Sequence, residues 1–127
     1  MDENISKIEK FLKDRGWDNL KPSDLAKSIS IEAAELLEVF QWDSLTAEET
    51  KSDSGKMGEI RKELADVLIY CLQMAYFLNI SPTEIIREKL EYSAKKYPAH
   101  VILAAKKDKL VGDIYYKIKK DYRKKRK

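Results

Sequence analysis

A chain of 127 residues, with 25 Lys/Arg against 22 Asp/Glu and a net charge of +3, is long enough for one substantial core and too apolar to be disordered. Only four glycines and three prolines interrupt abundant Glu, Lys, Leu, Ile and Ala, which favours helix nearly throughout. The single cysteine, Cys71, excludes an intrachain disulfide and a cysteine-based metal knuckle. From the acidic, polar opening Met1-Asp-Glu-Asn no signal peptide is expected, and a cytoplasmic location is the expectation.

The first helix is predicted over about 2–14, with Ile5, Ile8, Phe11 and Leu12 on its inner face and Gly16 ending it. A short loop from Trp17 to Lys21 leads to Pro22-Ser23, where Ser23 is the expected N-cap of a second helix. That helix is expected to run to about Trp42, turning Leu25, Ile29, Leu36, Val39 and Phe40 inward. The polar stretch 43–58 contains Ser52-Asp53-Ser54-Gly55, a loop signal. Within it, Thr46-Ala-Glu-Glu49 has capping-box spacing and can start one helical turn. A long third helix over about 56–78 is apolar on most sides, as expected of a central helix or one at a subunit interface; Cys71 is expected there as a buried, inert thiol. The apolar run from Leu64 to Ile80 contains Asp66 and Gln73, too short and too polar for a membrane span.

Ser81-Pro-Thr-Glu84 combines a Ser N-cap, Pro in the first turn and Glu three residues on. It starts a fourth helix that runs to about Lys96 and ends before Pro98. Residues 109–122 then show weaker helical periodicity (Leu110, Ile114, Ile118) before dissolving into Arg123-Lys-Lys-Arg-Lys127. Residues 117–127 hold eight Lys/Arg against Asp121, a local +7 that leaves the first 116 residues at −4. The expected architecture is all-α, of four-helix-bundle type, with a helical domain over 1–100 and a C-terminal extension with a basic tail over 101–127.

Two carboxylate pairs three residues apart, Glu32/Glu35 and Glu63/Asp66, stand in otherwise apolar helical stretches. Residues at i and i+3 share a helix face, and Leu36, Val39, Leu64, Val67 and Leu68 place that face close to a core. Acids near a core are costly unless neutralised, and four of them without interleaved Lys or Arg most economically imply divalent cations. Oxygen-only ligands suit Mg²⁺ or Mn²⁺. The lone histidine, His100, lies outside the acidic segments, which argues against a zinc site or a Glu-x-x-His di-iron bundle. A carboxylate-held Mg²⁺ completes its shell with waters and substrate phosphates, so a phosphoanhydride is the natural substrate.

At this point the chain resembles a known family. Glu-x-x-Glu-Leu-x-Glu-x-Phe-Gln-Trp at 32–42, Glu-Leu-x-Asp-Val-Leu-Ile-Tyr at 63–70 and Lys-(x)7-Tyr-Pro at 89–98 are similar to the all-α nucleoside triphosphate pyrophosphohydrolases of the MazG-like superfamily, most of all their dCTP pyrophosphatase branch. The resemblance covers about Trp17 to His100. It implies an oligomeric fold, a dimer or tetramer, and hydrolysis of a (deoxy)nucleoside triphosphate to monophosphate and pyrophosphate. It further implies Glu32, Glu35, Glu63 and Asp66 as Mg²⁺ ligands. Glu38, three residues on, is a further ligand, the base that orients the attacking water, or a solvated acid. Trp42 and Trp17 correspond to aromatics that hold the base, where stacking is worth about 1–3 kcal/mol. Tyr70 either lines that pocket or packs. Lys89, Lys95, Lys96 and the Tyr97 hydroxyl are candidates for the phosphates, the rival for each lysine being a solvated helix end. Ser93 stands where the similar proteins usually carry Asn, and the segment between Trp17 and Pro22 is shorter than in the dCTP branch, so the preferred base stays open.

Two other function classes compete. The acid pairs can be a charged face satisfied by water, Lys27, Arg61 and Lys62, in a purely helical oligomeric adaptor. The basic tail attracts nucleic-acid phosphates, although without base-reading motifs a solvated tail is the preferred account. Neither nucleic acid nor a membrane is an expected partner.

Overall fold

The structure, a computed structural model, describes residues 2–107 and 111–125. Among these residues it contains seven helices and no strand: α1 (Asp2–Asp14), α2 (Pro22–Val39), α3 (Ala47–Lys51), α4 (Ser54–Phe77), α5 (Pro82–Lys96), α6 (Ala99–Lys107) and α7 (Val111–Lys125). The all-α expectation holds. The chain divides into two compact units, Met1–Pro82 and Thr83–Lys127. No single helix among the described residues is long and apolar enough to cross a membrane.

In the first unit α1 ends as its sequence predicts. Gly16 adopts a left-handed φ of +69°, so Gly16 N–H reaches Lys13 O at 3.1 Å and Trp17 N–H reaches Leu12 O at 2.9 Å. This paired closure satisfies carbonyls left open at the helix end and folds Trp17 back onto Phe11, ring centroids 6.1 Å apart. α4 closes in the same way through Asn79 at φ 55°, with Ile80 N–H on Ala75 O at 2.9 Å.

Three boundaries depart from expectation. Ser23 is not the cap of α2: Lys21 holds that position with extended backbone and no side-chain bond, and Pro22 is the first helical residue. Proline brings no N–H to satisfy and a φ already suited to the first turn. α2 also stops at Val39, short of Trp42, because Phe40 and Gln41 N–H bond back only three residues, to Leu37 O and Glu38 O. The Ser-Asp-Ser-Gly segment is a helix start, since the Asp53 carboxylate accepts Lys56 N–H at 3.0 Å and α4 begins at Ser54. The Thr46–Glu49 capping box forms as expected, both of its bonds at 3.1 Å.

α2 and α4 make the broadest interface of this unit, with α1 and α3 also against α4. Leu12, Leu25, Leu72 and Ala75 are buried there. Cys71 is exposed, not buried as expected; one chain does not cover all of α4's apolar surface, and Leu64, Leu68 and Ile69 are exposed too.

In the second unit α6 is a helix the sequence reading missed. Pro98 starts it, its carbonyl accepting Val101 and Ile102 N–H at 3.1 Å. The basic stretch expected to dissolve is helical through Lys125, while residues 109 and 110 of the expected periodic segment lie outside the described residues. Lys and Arg are good helix formers and suit a final turn electrostatically, and Tyr115 and Tyr122 of α7 contact Tyr97 and Tyr92 at 5.1 and 6.0 Å.

Gly16→Ala is expected to lower stability by about 1 kcal/mol, because a Cβ disfavours the left-handed conformation although nothing crowds the site. Asn79→Gly is expected to cost nothing or to stabilise slightly. Denaturant unfolding at one protein concentration reads both; equal stability of Gly16→Ala and wild type would contradict the closure.

Candidate metal centre and adjoining cavity

The acid pairs meet because α2 and α4 are clipped together at one end. Lys56 Nζ in the first turn of α4 bonds Val39 O at 3.2 Å, at the end of α2, and pairs with the Asp43 carboxylate just beyond it. From that clip the two helices run in opposite directions. Each rises about 1.5 Å per residue, so seven residues back along α2 and seven residues on along α4 bring Glu32 and Glu63 to the same level.

Glu32, Glu63 and Asp66 each place one carboxylate oxygen within 4.8 Å of the others, all three half-buried. Glu35, one turn along α2, joins them: hydrogen bonding to Glu32, then the Glu32 charge, then desolvation raise its pKa above the ordinary carboxylate value. Glu63 is raised chiefly by desolvation, followed by hydrogen bonding to Glu35 and its charge, with Lys62 opposing. None of the four acids makes an ion pair among the described residues; Lys27 pairs instead with Asp24, and Arg61 makes no ion pair.

Glu32 Oε2 and Glu63 Oε2 are sealed from solvent with no hydrogen-bond donor. An ionised carboxylate oxygen only accepts, and burying it unpaired is costly. A hard divalent cation would satisfy these oxygens and relieve the mutual repulsion, so the donor set fits Mg²⁺ or Mn²⁺.

Two concavities flank the cluster. An open groove of about 590 Å³ is lined by Glu35, Glu38, Val39, Glu59, Lys62 and Glu63, which puts Glu38 beside two of the acids. On the other side a cavity of about 400 Å³ is lined by Phe11, Leu12, Trp17, Leu20, Asp66, Ile69, Tyr70 and Gln73. Asp66 belongs to both cluster and cavity. Of the aromatic candidates, Trp17 and Tyr70 stand in this cavity. Trp42 is 89% exposed and lines none of these concavities.

Lys89, Ser93, Lys95, Lys96 and Tyr97 belong to the second unit. There Lys89 and Lys96 line a small cavity of about 140 Å³ with Tyr92, Lys119, Tyr122 and Arg123. Tyr97 stacks on Tyr115 at 12°, and its hydroxyl is raised chiefly by desolvation, then by Tyr115.

Sequence reasoning did not name the cavity's Phe11, Leu12, Leu20, Ile69 or Gln73 as site residues. The signal for Gln73 was available: Asp66, Tyr70 and Gln73 are i, i+4 and i+7 on α4, one helix face.

The sequence matches the MazG-like family over residues 27–110. It is 28% identical over 102 residues to mouse (Mus musculus) dCTP pyrophosphatase 1 and 28% identical over 108 residues to the human (Homo sapiens) protein of that name. Each alignment covers 78% of this chain, and the chain spans about 60% of the length of these relatives. A crystal structure of a pyrophosphatase from Archaeoglobus fulgidus superposes with a TM-score of 0.68 at 42% identity, covering 77% of this chain and 92% of that one.

The raised carboxyls give the metal-free protein an unusual pH response. An acid held above its unfolded value, near 4.5, favours the folded state below that value and loses this contribution as pH rises through the folded pKa. In EDTA, Glu35→Gln is therefore expected to melt above wild type at pH 7, the gap closing as pH falls toward 4.5. Mg²⁺ is expected to raise the wild-type midpoint at pH 7 more than that of the variant. Thermal melts across pH check both, and a Glu35→Gln midpoint below wild type in EDTA would contradict the cluster.

Proposed function

We propose that this chain, which belongs to the MazG-like family, is a Mg²⁺-dependent nucleotide pyrophosphohydrolase. It acts on a (deoxy)nucleoside triphosphate, dCTP or a modified nucleotide among the candidates, and yields the monophosphate and pyrophosphate. The observation that carries the reading is the pair of sealed, donorless oxygens on Glu32 and Glu63, beside an aromatic cavity that shares Asp66 with the cluster. The names of the similar proteins support the same chemistry.

Glu32, Glu35, Glu63 and Asp66 would hold the cation, with Mn²⁺ as an alternative. Bound there, it would supply positive charge against the phosphate oxygens and against the charge of a pyrophosphate leaving group. Trp17 and Tyr70 hold the base in the cavity, leaving the phosphates at Asp66. Glu38, in the groove beside Glu35 and Glu63, orients the attacking water and takes its proton. The water oxygen bonds to the α-phosphorus as the bridging bond between the α and β phosphates breaks.

Glu35→Gln and Asp66→Asn are each expected to cut pyrophosphate release by at least 100-fold while circular dichroism shows an intact helical fold. A nucleotide panel assayed with Mg²⁺ and with EDTA supplies the comparison, and full activity in either variant would overturn the assignment.

The working form is a homo-oligomer, a dimer or tetramer. Support comes from large apolar side chains exposed in the single chain, including Ile31 and Leu37 on α2 and Leu64, Leu68 and Ile69 on α4; stable association characteristically buries such surface. Light scattering is expected to give at least twice the chain mass of 14.8 kDa, and a monomer at micromolar concentration would contradict it.

A further inference from the structure

Gln73 has no account in the hydrolytic chemistry. It is 6% exposed, the one polar residue among the buried residues of the described first unit, and its Oε1 has no hydrogen-bond partner. It nevertheless lines the cavity that holds Trp17, Tyr70 and Asp66. A buried amide oxygen without a partner costs on the order of 1–3 kcal/mol, and an apolar side chain of similar volume would fill the same helix position without that loss.

Position along α4 says what the amide can meet. Asp66, Tyr70 and Gln73 follow one another up a single face, so Gln73 lies about 10 Å from Asp66 along the helix axis, at 1.5 Å per residue. A nucleotide with its phosphates at Asp66 therefore carries its base toward Gln73, with Trp17 and Tyr70 between. An amide offers a donor and an acceptor side by side, and rotation about its last bond exchanges them. The complementary ligand edge also places a donor beside an acceptor, as the hydrogen-bonding edges of nucleobases do.

We infer that Gln73 reads the nucleobase, pairing its side-chain amide with the hydrogen-bonding edge of a base seated in the Phe11–Trp17–Tyr70 cavity. This rests on the nucleotide reading of the cavity and adds a specificity-determining residue to it. Aromatic stacking accepts any flat ring. Gln73 makes the cavity reject rings of the right shape that lack polar edges, because such a ring leaves the amide unpaired.

The test is a cycle of two ligands and two proteins, read by calorimetry in Mg²⁺ with non-hydrolysable α,β-methylene triphosphates. One ligand carries thymine and the other difluorotoluene, which keeps thymine's shape without its hydrogen bonds. Wild type is expected to bind the thymine nucleotide at least tenfold more tightly. Gln73→Met is expected to bind the two within about twofold of each other, and Gln73→Leu to behave alike. Equal binding of both ligands by wild type, which needs no variant to fold, would overturn the inference. So would variants that keep the wild-type preference, or variants that weaken both ligands together while changing oligomeric mass, which would make Gln73 an interface residue. Binding is measured, not turnover, so a protein that discriminates the two ligands yet releases no pyrophosphate would refute the hydrolytic reading and leave this one standing.

Discussion

Electrostatic repulsion among carboxylates is the constraint around which the first unit is arranged. α2 and α4 press one carboxylate oxygen each of Glu32, Glu63 and Asp66 to within 4.8 Å and bring Glu35 close enough to Glu32 for its hydrogen bond and charge to raise the Glu35 pKa. Among the described residues none of the four acids has an ion-pair partner, Lys62 opposes only part of the shift at Glu63, and the nearby Lys56 is committed to Asp43 and to the end of α2. That clip ties the end of α2 to the start of α4, with the helices in opposite directions and the acids at one level. The helix pairing, fixed by apolar burial and by the clip, opposes the repulsion that a divalent cation would remove.

The cluster and the cavity share one wall. α4 supplies Glu63 and Asp66 to the first and Asp66, Ile69, Tyr70 and Gln73 to the second, so a ligand that bridges both is oriented by a single rigid element. α1 supplies the opposite wall. Its end depends on the left-handed Gly16, which returns the chain so that Trp17 meets Phe11.

What the sequence made legible follows from period and spacing. The i, i+3 acids in apolar stretches named the cluster, because a helix turns residues three apart onto one face. The capping box at Thr46, the glycine stop after α1 and proline at the start of α5 fixed element ends, since each has a local physical cause. Less legible were ends set by backbone alone. Lys21 caps nothing with its side chain, Phe40 ends α2 by shortening hydrogen bonds, and Pro98 starts α6 with its carbonyl. Ring contacts distant in sequence support α7, whose helical periodicity was weak in the sequence and whose last basic residues were expected to dissolve. Cys71 was expected inside and Gln73 drew no expectation of burial, both for one reason. A helix apolar on most sides does not reveal which side its neighbours cover, and α4 leaves the thiol outside while sealing the amide in.

The most direct measurement is diffraction from a crystal of the full chain grown with Mn²⁺, whose anomalous scattering locates the ion independently of any assumed ligand. The account predicts a strong anomalous peak within about 2.5 Å of carboxylate oxygens from Glu32, Glu63 and Asp66. A fully occupied peak elsewhere, with those acids turned to solvent or paired with lysines, would contradict it.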